Sequence, residues 1–171
     1  MFKSTWRVAA TCFLGLLLLA GGTICAQQFD PTPDDQKATQ MVCQLVHRFH
    51  ISQKKIDDDI SRKTLKRYIE SVDPLKLYFV KKDIKGFKKF ETKLDEQLLK
   101  GDVKFAFTVH QAYLERVRRQ SKLAAKYIAA EHDFTLDEVR IANPEFLDWC
   151  SSAEELNERW RKRIKAELLG K

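Results

Sequence analysis

At 171 residues the chain is about one domain long, with 32% charged side chains and a formal charge of +7. In a cytosolic protein that charge would invite a nucleic-acid partner. The first 26 residues argue against one, because they have the layout of an export signal. Lys3 and Arg7 form a charged start, Val8 to Ala20 an apolar core, and Ile24-Cys25-Ala26 a cleavage site before Gln27. The apolar core is short for a membrane span, so a membrane association is expected only if the segment stays uncleaved. A lipid anchor on Cys25 fits less well, since bulky Ile24 precedes it where a small residue is wanted.

Cleavage would leave 145 residues, a charge of +5 and two cysteines, Cys43 and Cys150. That length can bury one core. A disulfide between the two and a pair of buried free thiols are both open readings in an oxidising compartment. The expected location is the periplasm, and an anionic envelope surface or acidic protein is a better electrostatic partner than nucleic acid.

Residues 27–32 read as a polar linker. Thr32-Pro33-Asp34-Asp35 opens a first helix, with a cap, a proline at the first helical position and acids in the first turn. Ala38, Met41, Val42, Leu45, Val46 and Phe49 recur at three- and four-residue steps and predict its inner face. A second helix fits 58–71, with Leu65, Tyr68, Ile69 and Val72 as its stripe, and ends at Asp73-Pro74. The apolar cluster Leu75, Leu77, Tyr78 and Phe79 follows directly and is expected to fill the corner into a third helix. That helix is predicted from Lys82, carrying Ile84, Phe87, Phe90, Leu94 and Leu98 inward as far as a stop at Gly101. Asp102 caps a long fourth helix over 103–130, about 40 Å at 1.5 Å per residue, with Ala106, Val109, Tyr113, Val117, Ala124 and Ile128 inside. "HDFTLDE" and "NPEFLDWC" predict an irregular connection with a single helical turn from Thr135. Ser152-Ala153-Glu154-Glu155 is a capping box opening a last helix with Leu156, Trp160, Ile164 and Leu168 inside. With no strand pattern and no internal repeat, the expected class is all-α, one domain of about five helices over 33–171.

The constellations that carry chemistry elsewhere are weak here. Ser52 beside Lys54 and Lys55 has the residue types of a Ser–Lys dyad. Nothing near them would desolvate a lysine or present a serine on a rigid turn, while Ser151 and Ser152 read as helix caps. Cys43, His47 and His50 share one side of the first helix at ligand-like spacing, yet lack a fourth ligand and read as an exposed polar face. No catalytic, cofactor-binding or metal-binding residue is expected. Arg116, Arg118 and Arg119, and Arg159 to Lys165, form two basic patches, read as solvated faces or as a surface for an acidic partner. Trp160 is expected to anchor the core. Trp149, beside Phe146 and Leu147, could close the end of the bundle or stand at an interface.

From Asp57 to Leu169 the chain resembles the N-terminal region of bacterial tail-specific, or carboxy-terminal processing, proteases. The resemblance rests on "DDDIS" at 57–61, "RYIESVDPLKLYFVKKDI" at 67–84, "FETKLDEQLLKGD" at 90–102, "DFTLDE" at 133–138 and "ERWRKRIKAELL" at 158–169, in order and at matching spacing. It implies a non-catalytic helical region preceding a PDZ domain and a protease domain whose serine is activated by a lysine. Such a region packs around that core and, in some members, helps to dock an adaptor lipoprotein. The 171 residues contain neither a PDZ-like segment nor the serine-bearing motif. The implied function is therefore a scaffold and interaction domain, with its protease core in cis or in trans. The alternative is a stand-alone exported protein that captures an envelope partner through basic helix faces.

Overall fold

The computed structural model describes residues 30–51, 55–141 and 143–170, and every regular element among them is helical. Helix α1 spans Pro33–Phe49, α2 Asp58–Val72, α3 Lys81–Lys88, α4 Leu94–Leu99, α5 Lys104–Ala129 and α6 Ala153–Leu169. A short 3-10 turn occupies Pro144–Phe146. One isolated bridge joins Val80 to Cys150, with the Lys81 N–H donating to the Cys150 carbonyl at 2.8 Å. The class is all-α. The expected signal segment, the first half of the linker (27–29) and Ser52 to Lys54 lie outside the described residues.

The helix starts follow local chemistry. Thr32 and Asp35 form a reciprocal capping box on α1, and the Asp57 carboxylate accepts the Ile60 N–H on α2. On α6 the arrangement is shifted by one residue. Ser152 Oγ accepts the Glu155 N–H, but the Glu155 carboxylate reaches past Ser152 to the Ser151 N–H and hydroxyl.

The core gathers Leu65 and Ile69 of α2, Phe79 of the corner, Leu94 of α4, and Phe105 and Val109 of α5. Phe79 is 0% exposed and meets the rings of Phe87, Tyr113 and Trp149, with centroids 5.3, 6.2 and 6.3 Å away. Leu77 is buried too, while Leu75 and Tyr78 are half-buried, so the apolar cluster after Pro74 fills the corner as expected. Deleting so large a core ring costs about 3–5 kcal/mol in comparable proteins.

Three sequence expectations are corrected. The predicted third helix is two, α3 and α4, separated by i→i+3 turns through Phe90, Glu91 and Lys93. The break is tertiary in origin: Ser61 Oγ, buried on α2, captures the Leu94 N–H at 3.0 Å and restarts the helix there. The helical turn expected from Thr135 is an Asx turn instead, the Asp133 carboxylate taking both the Thr135 N–H and its hydroxyl. On α5, Phe105, Val109 and Gln120 are buried but Ile128 is 59% exposed. At 100° per residue Gln120 lies about 20° from the Val109 direction and Ile128 about 100° from it, so a straight helix turns Ile128 outward.

Helix α1 departs furthest from expectation. Its stripe of Met41, Val42, Leu45, Val46 and Phe49 is exposed, Phe49 to 73%, and its buried residue is Cys43, on the opposite side. The cause lies at the C-terminal end of α4, where carbonyls lack intrahelical donors. Gln40 Nε2 donates to the Lys100 carbonyl at 2.9 Å, and the Cys43 thiol to the Leu98 carbonyl at 3.5 Å. Gly101, at φ +75°, lets the two backbones touch: a Cβ there would sit 2.7 Å from the Gln36 carbonyl oxygen. The polar side of α1 therefore docks, and its apolar side is left without cover among the described residues.

Candidate interaction surfaces

Of the residues that suggested catalysis, Ser52 and Lys54 lie outside the described residues, and the fold places the others in structural roles or in solvent. Lys55 is exposed, and Ser151 and Ser152 are occupied in capping α6. Cys43 is buried while His47 and His50 are exposed. Among the described residues no three His, Cys, Asp or Glu side chains are grouped to hold a metal. Cys43 and Cys150 are both buried and unbridged, and burial pushes both thiols above their usual range.

The two basic patches differ sharply. On α6 the charges are largely absorbed by the fold. Arg159 donates to the Lys76 carbonyl at 3.0 Å, Arg161 pairs with Glu158 and Glu138, and Lys165, only 7% exposed, pairs with Glu138. The expected solvated face is thus a clamp that ties the 131–141 segment to α6. Its arginine and lysine hold the Glu138 carboxyl down to about 2, from an ordinary 4.5. On α5, Arg116 pairs with Asp83 at 2.9 Å, whereas Arg118 and Arg119 point into a groove without a contact ion pair among the described residues.

Trp160 lies beside the corner and outside the central core cluster, half-buried, its indole N–H donating to the Leu77 carbonyl at 2.7 Å and its ring 5.8 Å from that of Tyr78. Trp149 closes the end of the bundle, half-buried against Phe79 and under the Lys76 ammonium, while its neighbour Phe146 stands exposed.

Sequence reasoning missed the residue that organises this corner. Asp73 was read as a helix stop, yet its carboxylate is 1% exposed. It accepts the N–H groups of Leu77, Tyr78 and Phe79, each at 2.9 Å. Lys76 completes the turn at φ 50°. An acid followed within six residues by three consecutive large apolar positions was the available signal: their backbone donors face inward and need an acceptor.

Among the described residues two groups of apolar side chains remain uncovered. One is the α1 stripe, and the other comprises Phe134, Leu136, Val139, Ile141 and Phe146 on the connection between α5 and α6, with Val139 80% exposed. Uncovered apolar side chains at this density mark surfaces that meet other proteins or domains. No helix among the described residues is long and apolar enough to cross a membrane.

A family model described as the tail specific protease N-terminal domain matches residues 41–171, more than half of the chain. The chain belongs to that family. It is also 28% identical over 143 residues to the tail-specific protease of Haemophilus influenzae. That match covers 80% of this chain and 20% of the relative, so the chain spans about a fifth of the length of the curated protein it matches. In the tail-specific protease N-terminal domain described here, the corner built on Asp73, Leu77 and Phe79 and the α6 clamp both lie inside the matched region.

Proposed function

We propose that this chain is the non-catalytic helical part of a periplasmic tail-specific protease, packing around a PDZ–protease core supplied in cis or in trans. The observation that carries this reading is the pair of uncovered apolar surfaces, on α1 and on the connection 134–146, in a chain that matches only 20% of its relative's length. Each has the character of half an interface. Residue chemistry supports the non-catalytic part. The buried polar groups Ser61, Asp73 and Lys165 are bound into the scaffold, and the serines of the α6 cap are held by Glu155. Export is supported by the sequence of the first 26 residues.

The test combines sequence, binding and activity. Coding DNA past Lys171 should read in frame into PDZ and protease segments, or a separate gene should supply them. The full chain mixed with that core should protect Val42, Leu45, Val139 and their neighbours from hydrogen exchange. Leu45→Asp and Val139→Asp should each weaken association at least tenfold. Peptidase activity should require the core. Cleavage of peptides with unstructured C-termini by the 171-residue chain alone would overturn the scaffold reading, as would a core that leaves both surfaces unprotected. Envelope fractionation with an N-terminus at Gln27 tests the location.

A further inference from the structure

One carboxylate fixes the segment between α5 and α6. Residues 131–141 form no helix or strand, and among the described residues no backbone–backbone hydrogen bond ties them to another element. At their start the His132 ring nitrogen meets the Tyr127 carbonyl at 2.7 Å, and the Asp133–Thr135 turn closes on itself. Every polar tie from the segment to α6 runs through Glu138 or Lys165. Arg161 reaches both oxygens of the Glu138 carboxylate. Lys165, one turn further along α6, reaches Oε2 and also donates to the Leu136 carbonyl at 3.4 Å. Glu158 in turn pairs with Arg161 at 2.7 Å. Around this anchor stand Phe134, Leu136, Val139 and Ile141, all exposed. None of Leu136, Val139 or Ile141 is further from Glu138 than about 10 Å of extended chain.

We propose that the Glu138 clamp is a positioning device for the second apolar surface, holding Phe134, Leu136, Val139 and Ile141 in the arrangement that the protease core receives. The proposal rests on the scaffold reading for its occupant and adds how the surface is kept ready for it. Burial does not hold the segment, because its apolar side chains are the exposed ones. Two cations on both oxygens of one carboxylate do hold it, since they leave Glu138 a single geometry. An irregular segment that is free to move loses conformational freedom when a partner orders it, and that loss comes off the affinity. Here α6 orders the segment during folding, before any partner arrives. Apparent affinity scales with the fraction of molecules in the competent arrangement, so a segment ordered in only about one molecule in ten would bind tenfold more weakly.

The test is a double-mutant cycle on the full chain, with the PDZ–protease core of the scaffold reading as partner and calorimetric titration as the measurement. Glu138→Gln should weaken association at least tenfold. Added to Val139→Asp, on the clamped surface, it should weaken association less than threefold further, whereas with Leu45→Asp, on α1, the two losses should multiply. Glu138→Gln leaves Lys165 without a charged partner, so Glu138→Gln/Lys165→Met, which removes both charges, should repeat the pattern; circular dichroism verifies that each variant is folded. A second readout needs no core. Backbone amide order parameters over 136–141 should lie near about 0.85 in the parent chain and fall below about 0.6 in Glu138→Gln, with those of α5 unchanged. Association of Glu138→Gln within twofold of the parent would overturn the proposal and leave the scaffold reading standing. So would losses that multiply equally with Val139→Asp and Leu45→Asp, or order parameters that are low in the parent or unchanged in the variant. A core that leaves both apolar surfaces unprotected would overturn the scaffold reading and the proposal together.

Discussion

Replacing Asp73 removes the single acceptor shared by three consecutive backbone donors. Leu77 and Phe79 are buried, so in Asp73→Ala their N–H groups lose a charged acceptor with no water to replace it. Each buried donor left unsatisfied costs about 1–3 kcal/mol. The Tyr78 N–H, in a half-buried residue, recovers part of its loss through solvent. The expected destabilisation is about 2–5 kcal/mol, a large share of the roughly 5–15 kcal/mol that holds a typical domain together. Asp73→Asn keeps one acceptor oxygen. Tyr78 and Phe79 share Oδ2 while Leu77 uses Oδ1, so the amide can serve the pair and abandon one donor, for a loss of about 1–3 kcal/mol. Urea unfolding followed by far-ultraviolet circular dichroism, with the slope fitted for each variant, measures both. An Asp73→Ala loss below about 1 kcal/mol at unchanged slope would refute the assignment of this carboxylate as the keystone of the corner.

Phe79→Ala and Leu77→Ala should each cost about 2–5 kcal/mol in the same assay, and a loss under about 0.5 kcal/mol would mean the side chain is not packed as described. Gly101→Ala forces a left-handed backbone on alanine and drives its Cβ into the Gln36 carbonyl, so α1 should detach. Hydrogen exchange should then speed up over Pro33–Phe49 while the amides around Val109 stay protected. The Glu138 clamp has a definite pH signature. Its carboxyl is held near 2 in the fold against an ordinary 4.5, so its stabilisation is complete above about pH 4.5 and is lost as pH falls toward 2. Protease nicking of the 131–141 segment should rise over that window, and in Glu138→Gln it should be high and flat across it.

Local signals carried most of the secondary structure. The caps at Thr32 and Ser152, the Pro74 stop and the long α5 are properties of neighbouring residues, and they appear where the sequence put them. What failed was tertiary. Periodicity reveals that Met41 to Phe49 carries an apolar face, but not whether the partner that covers it belongs to the same 171 residues. Nothing near Leu94 in the chain announces that Ser61, 33 residues earlier, will take its N–H and split a helix. Lys165 reads as solvent-facing because its partner Glu138 sits on an irregular segment with no periodicity to place it. The basic groove was half legible. Arg118 and Arg119 were singled out from sequence, and Lys122 and Lys126 continue their face of α5 at four-residue steps, while Asn157 joins them only once α6 lies against α5.

The grip of α6 on the corner sets an order of assembly. The Lys76 and Leu77 carbonyls are satisfied by Arg159 and Trp160, each 83 residues further along, and the Lys76 ammonium reaches the Leu147 carbonyl, 71 residues on. A chain emerging from its N-terminus can form α2 and α5, but those corner contacts wait until α6 exists. Contacts at such separations come late, because the loop between them has to be closed before they return anything. Until then the apolar corner is accessible to other chains, and the interval between making residue 79 and residue 160 is when this domain is most exposed to misassembly. Helix α6 is the latch.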